Sequence, residues 1–191
     1  TPALAEGQGL QAQPMYPFGK EHKMTVTLHA QPYDITACGF YFESYEDYRD
    51  KAAKAVNDYG DPVEEFEIQF IDGDEIDCKL AQAIGINQAN LKQVFAALED
   101  WDDHDKIRVI LAVGECGYDF TADTRPDDFD LDIYSCESLR DLAEQFVDEG
   151  LFGDIPERLR FYIDYDAIAR DLGMDYAEAT VAGQGLIYRC G

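Results

Sequence analysis

Forty Asp and Glu stand against fifteen Lys and Arg, a formal net charge of −25 on 191 residues, and this imbalance limits the fold more than any motif does. Repulsion among so many like charges penalises a compact sphere. It also makes direct binding to a phosphate backbone unfavourable, so a nucleic-acid-binding role is excluded. The chain is nevertheless rich enough in apolar residues to bury a core, with 46% hydrophobic and 13% aromatic residues. Solvated acidic disorder lacks that content, so the charge decorates a folded object.

The acids are spread along the chain rather than gathered in a tail. Asp61, Glu64, Glu65, Glu67, Asp72, Asp74, Glu75 and Asp77 lie between Lys54 and Lys79 with no base among them. Glu99, Asp100, Asp102, Asp103 and Asp105 form a second cluster. A third, from Glu115 to Glu137, includes Asp119, Asp123, Asp127, Asp128, Asp130 and Asp132 with Arg125 intervening, and a fourth opens with Asp141, Glu144, Asp148 and Glu149. Duplex DNA carries one charge per ~1.7 Å of axis, so 25 excess carboxylates match about 43 Å of duplex and a dimer about 85 Å. That charge density fits an elongated DNA mimic, which would enter a basic DNA-binding groove through these carboxylates collectively, although composition alone favours a blander reading. The competing reading is a globular protein whose acidity serves solubility, as in a high-salt cytoplasm, and it predicts a fold that fails at ordinary ionic strength.

Residues 1 to 23 have no periodic apolar pattern and read as a flexible leader or as a remnant foreign to the natural chain, with Met15 and Met24 both candidate starts. Residues 24 to 75 read as a small ββαβ module. Val26 and Leu28 alternate with threonines, Phe40 to Phe42 follow a turn near Pro32 to Asp34, and Phe66, Ile68 and Phe70 alternate with polar residues. Between them Ser44 and Asp47 open a helix continued by Tyr45, Tyr48, Ala52, Val56 and Tyr59 and closed by Gly60 and Pro62.

Residues 76 to 125 read as an acidic helical middle module. Ile76 to Ile84 is one short helix, Leu91, Val94, Phe95 and Leu98 form the stripe of another, and Ile107, Ile110 and Leu111 that of a third behind Asp102 or Asp103 as cap. Residues 126 to 191 form a mixed α+β module. Asp128, Asp130 and Asp132 alternate with Phe129, Leu131 and Ile133 as one face of a strand. Ser138 and Asp141 then cap a helix that ends at Gly150. Asp154 and Glu157 open a helical turn around Pro156, Asp164 to Leu172 is helical, and Tyr176 to Ala182 pairs with Leu186 to Cys190 across Gly183-Gln184-Gly185. The fold class is therefore α+β, an elongated chain of three small modules.

No catalytic constellation stands out. Walker, GxGxxG and GxSxG patterns are absent, and His22, His29 and His104 lack HExxH spacing and read as surface histidines. Asp128, Asp130 and Asp132 imitate the start of an EF-hand loop, but Ile133 and Leu139 occupy the positions of its Gly and its bidentate Glu. Neither an enzyme nor a cofactor nor a metal site is expected. A carboxylate-based, metal-dependent hydrolase is the catalytic alternative, and it lacks a base with a stated environment. The five cysteines are widely spaced and form no CxxC, so no disulfide framework or zinc site is expected. With no signal-like or membrane-spanning run, a reducing cytoplasm is the expected compartment.

The segment Leu151-Phe-Gly-Asp-Ile-Pro-Glu-Arg-Leu-Arg-Phe-Tyr-Ile-Asp-Tyr-Asp-Ala-Ile-Ala-Arg-Asp-Leu172 closely resembles the antirestriction motif of ArdA-type antirestriction proteins, and the continuation to Gly191 is similar to that family's closing hairpin. Tyr33-Asp34 and Gly39-Phe40-Tyr41-Phe42 resemble its first-module pattern, with Asp for the usual Asn and Tyr for the usual Trp. The resemblance implies a cytoplasmic protein carried on mobile DNA and a curved, rod-like homodimer joined through the C-terminal module. It further implies imitation of bent B-form DNA and blockade of the DNA-binding groove of type I restriction-modification enzymes, at their methyltransferase core. Leu151, Ile155, Pro156, Leu159, Tyr162, Ile163, Asp164, Tyr165, Ile168, Arg170, Asp171 and Leu172 are the motif and dimer residues so implied. Ile168 stands where the family usually has an aromatic residue, keeping the site apolar. Asp166 and Arg170 fall at i, i+4, and Asp166 or Asp164 is the simplest partner for Arg170. The alternative function is that of an acidic protein binding another basic partner, such as a nucleoid protein or transcription regulator.

Overall fold

The computed structural model describes residues 25–191, so the reading of residues 1 to 23 as a leader falls outside it. Strands β1 (Thr27–Pro32), β2 (Phe40–Phe42) and β3 (Phe66–Asp72) form an antiparallel sheet in the order β2-β1-β3. Alternation drives it: Leu28 and Ala30 of β1 and Phe66 and Ile68 of β3 are buried while the residues between them are not. Helix α1 (Tyr45–Ala52) begins where the Ser44 hydroxyl accepts a hydrogen bond from the Asp47 N–H at 3.1 Å. It lays the Tyr48 ring 5.0 Å from that of Phe42, over the sheet.

The first helix is shorter than its apolar spacing predicts. It ends at Ala52, and Val56 and Tyr59 lie on a following loop, 55% and 80% exposed. Asn57 accounts for the difference. Its side-chain oxygen accepts from the N–H groups of Tyr59 and Asp61, offering the backbone a turn in place of helix.

The helical middle follows as α2 (Glu75–Ile84), α3 (Leu91–Asp100) and α4 (Asp103–Gly114). Asp102 caps α4, its Oδ1 accepting from the Asp105 N–H at 2.9 Å. The last region comprises β4 (Leu131–Tyr134), α5 (Leu139–Asp148), α6 (Glu157–Arg160), α7 (Tyr165–Leu172), β5 (Ala177–Val181) and β6 (Gln184–Cys190), with a second antiparallel sheet ordered β4-β6-β5. The β5–β6 turn is Ala182-Gly183, two residues with φ of 48° and 77°, tighter and one residue earlier than the glycine-rich stretch suggests. The result is an elongated α+β chain, β-rich at its start, helical at its centre and mixed at its end. One apolar cluster joins these regions, from Leu28 and Phe42 through Leu80, Leu91, Leu98 and Leu111 to Leu131 and Leu186. A smaller one centres on Leu142, Phe146 and Ile187 beneath α5.

Two further expectations are corrected. Asp128, Asp130 and Asp132 do not share a strand face: Pro126 starts a 3-10 turn over Pro126–Asp128, the Asp128 carboxylate accepts from the Arg125 N–H, and the strand begins only at Leu131. Nor are the cysteines all unpaired. Cys116 and Cys190 form a disulfide with Cα atoms 5.9 Å apart, bridging a sequence separation of 74. The topology brings them together, because β6 returns along β4 and Arg108 of α4 donates to the carbonyls of Phe129 and Leu131. Among the described residues no helix is long and apolar enough to cross a membrane.

Candidate partner-binding surface

Most residues of the four acidic clusters fall on exposed positions of successive elements. Asp61, Glu64 and Glu65 lie on the loop before β3, Glu67 and Asp72 on β3, and Asp74 and Glu75 at the start of α2, with Asp74 half-buried. Glu99 and Asp100 end α3, and Asp103 and the half-buried Asp105 occupy the first turn of α4. Asp119, Asp123, Asp127, Asp128 and Asp130 are exposed on the connection from α4 to β4. On α5, Asp141 accepts from the Ser138 hydroxyl, and Glu149, just beyond it, accepts from the Gln145 amide.

Asp77 is the exception. It is fully buried on α2, where its Oδ1 pairs with the Nζ of Lys106, itself 3% exposed on α4. It holds two helices together and cannot face a partner. Other acids are partly neutralised: Asp132 pairs with Arg189, Asp148 with Arg160 and Glu144 with Arg140. The acids from β3 to β4 thus lie mostly on exposed positions, while those on α5 and in β4 include Asp132, Glu144 and Asp148, each paired with an arginine.

Asp102, His104 and Asp105 bring one ligand atom each within 4.8 Å of one another. Asp102 already serves as the cap of α4, whose N-terminal dipole opposes a cation there. Burial and the neighbouring Asp102 together push the Asp105 carboxyl up from its ordinary range.

The segment 151–172 behaves differently from the acidic faces. No residue of α6 or α7 is buried, although both carry large apolar side chains. Leu151, Leu159 and Tyr162 are exposed, the last by 84%, while Ile155, Ile163, Tyr165, Ile168 and Leu172 are half-buried and Pro156 is exposed. Phe152, Phe161 and Met174 extend the same exposed set, and spacing alone does not separate them from core residues. Asp164 caps α7 through the Ala167 N–H at 3.0 Å.

The expected Asp166–Arg170 pair does not form. Asp166 pairs instead with Arg140 across the α5–α7 contact, raising the Arg140 guanidinium chiefly through that hydrogen bond, and Arg140 also sits 5.7 Å from the Tyr165 ring. Among the described residues neither Arg158 nor Arg170 makes an ion pair, and both are exposed, as is Asp171.

No curated protein matches the chain. A family model described as antirestriction protein (ArdA) matches residues 86–185, more than half of the sequence. The match covers the helical middle from α3 onward, the acidic connection and the whole motif as far as the first residues of β6. The chain belongs to the ArdA antirestriction family.

Proposed function

We propose that this protein imitates the charge of B-form DNA and inhibits type I restriction-modification enzymes by occupying the DNA-binding groove of their methyltransferase core. It does so as a homodimer and without chemistry. The observation that carries the reading is the run of exposed carboxylates on consecutive elements from the loop before β3 to the loop before β4, with few bases among them. A basic groove would exchange its counterions for these carboxylates, and long-range attraction would speed the encounter.

The dimer contact belongs to the segment 151–172. Leu151, Phe152, Leu159, Phe161 and Tyr162 are large apolar side chains exposed within one short segment, a set that a lone chain has no reason to expose. Arg158 and Arg170, exposed in the same segment, would supply cations for carboxylates of a symmetry-related copy. Replacing Phe161 and Tyr162 by Ser should convert the dimer to monomer in sedimentation, with little loss of monomer stability because both rings are exposed.

The deciding experiment is competition for DNA held by a purified type I methyltransferase core, at low and moderate salt. Displacement at near-stoichiometric amounts that weakens as salt rises supports the reading. Failure of the folded protein to displace DNA at low salt refutes it, and leaves an acidic protein whose basic partner is of another kind.

A further inference from the structure

Two loops of the β-rich region carry a second set of exposed apolar side chains, built differently. The loop between β1 and β2 and the loop after α1 lie side by side, joined by an isolated bridge between Ala37 and Asn57 and by the Asp58 N–H donating to the Thr36 carbonyl at 2.9 Å. Asp34 accepts from the Thr36 N–H and hydroxyl with one oxygen and from the Asn57 amide with the other, at 2.7 to 3.0 Å. These bonds, the Thr36 hydroxyl first, hold the Asp34 carboxyl below the usual range, so the brace stays ionised at neutral pH. Asn57 in turn accepts from Tyr59 and Asp61, and Gly60 closes the turn at φ 87°.

This bracing serves side chains that contribute nothing to the core. Ile35 is 97% exposed and Tyr59 80%, and each lies one residue beyond the hydrogen bond from the Asp58 N–H to the Thr36 carbonyl that joins the two loops. Tyr33 and Val56 widen the patch. Rigid presentation of an aromatic and an aliphatic group from pre-organised backbone lowers the entropy lost on contact, the property of an interface anchor. Exposed Asp58 and Asp61 flank Tyr59 in sequence and the Tyr33 N–H donates to the carbonyl of exposed Glu65, with exposed Glu64 beside it and Lys54 the nearest base in sequence. The complementary surface is therefore an apolar socket rimmed by Lys and Arg.

We infer that Ile35 and Tyr59 form an apolar anchor that docks into such a socket on the same basic, DNA-binding protein whose groove the carboxylates enter. The inference rests on the proposed mimicry and adds what charge alone lacks. Carboxylates attract any basic groove and lose their hold as salt screens them, whereas an apolar contact is insensitive to screening and specific in shape.

The test compares wild type with the Ile35→Ser/Tyr59→Ser variant and with Asp58→Asn/Asp61→Asn, in the same displacement of DNA from the methyltransferase core across a salt series. The apolar variant should bind about tenfold or more weakly at every salt, through faster dissociation, with the slope of log affinity against log salt unchanged. The charge variant should instead flatten that slope. Both changes lie on exposed side chains, so an unaltered thermal midpoint verifies the fold. An apolar variant within twofold of wild type at all salts overturns the anchor while leaving the mimicry standing. Wild type that displaces no DNA overturns both. A loss that follows a shift in sedimentation to monomer assigns the patch to a second copy of this chain and also refutes the inference.

Discussion

Lys106→Met removes the cation from the buried pair with Asp77, and its cost can be worked from the structure. Both groups are almost wholly buried, and the second carboxylate oxygen of Asp77 has no hydrogen-bond partner. Breaking such a pair from one side typically costs about 3–5 kcal/mol, because a charge is left in an apolar setting. Urea unfolding should show a loss of about 3–5 kcal/mol at pH 7, with unchanged slope. Adding Asp77→Leu should recover most of it, since a well-packed apolar pair replaces an ion pair at little cost. A loss below about 1 kcal/mol would refute the account. Because Asp77 faces the interior, its replacement should alter inhibition only through the folded fraction, unlike any surface acid.

Reducing the Cys116–Cys190 bond, or replacing Cys116 by Ser, should lower stability by up to about 4 kcal/mol for a separation of 74 residues. A thiol count of five in the unreduced, folded protein would refute the pairing. Tyr134, raised to about 12 chiefly by burial, should give a late component in the tyrosinate absorbance, and stability should fall between pH 10 and 12 as the unfolded state loses the proton that the native state keeps. Tyr134→Phe should remove that late component of the tyrosinate absorbance. Neutralising Asp127, Asp128 and Asp130 together should weaken displacement of DNA and flatten its salt dependence, while each single Asn substitution changes affinity little. Abolition by one of them, with folding and dimerisation intact, would contradict a collective surface.

Periodicity makes the regular elements legible wherever one face is buried. The strands containing Leu28 and Ile68, the stripes of α3 and α5, and the hydroxyl caps at Ser44 and Ser138 all follow from local spacing. What spacing misses depends on residues distant in sequence. Val56 and Tyr59 continue a helical spacing on a loop, because exposed apolar side chains imitate a buried stripe until Asn57 is seen to bond to the backbone. In sequence Asp77 is indistinguishable from its surface neighbours, since its partner lies 29 residues away on another helix. Asp166 is claimed by Arg140 of α5 rather than by the residue one turn on, because α5 and α7 pack together. Of the candidate surface, the exposed acids can be read directly, whereas Phe152, Phe161 and Met174 need the fold to separate them from core.

The placement of the few bases explains how the fold keeps its surface charge. Between residues 86 and 131 there are eleven Asp and Glu and four Lys and Arg. Two of those four are used inward: Lys106 neutralises Asp77, and Arg108 spends its guanidinium on the carbonyls of Phe129 and Leu131. Inward cations stabilise the contacts of α4 with α2 and with the start of β4 without screening the carboxylates outside. In α5 to α7 the cations instead lie on the surface, where Arg140 and Arg160 tie α5 to the elements of the motif. On the proposed reading this division has a use: a surface that carries like charge needs its bases out of reach of solvent, and one that meets a second copy needs them exposed.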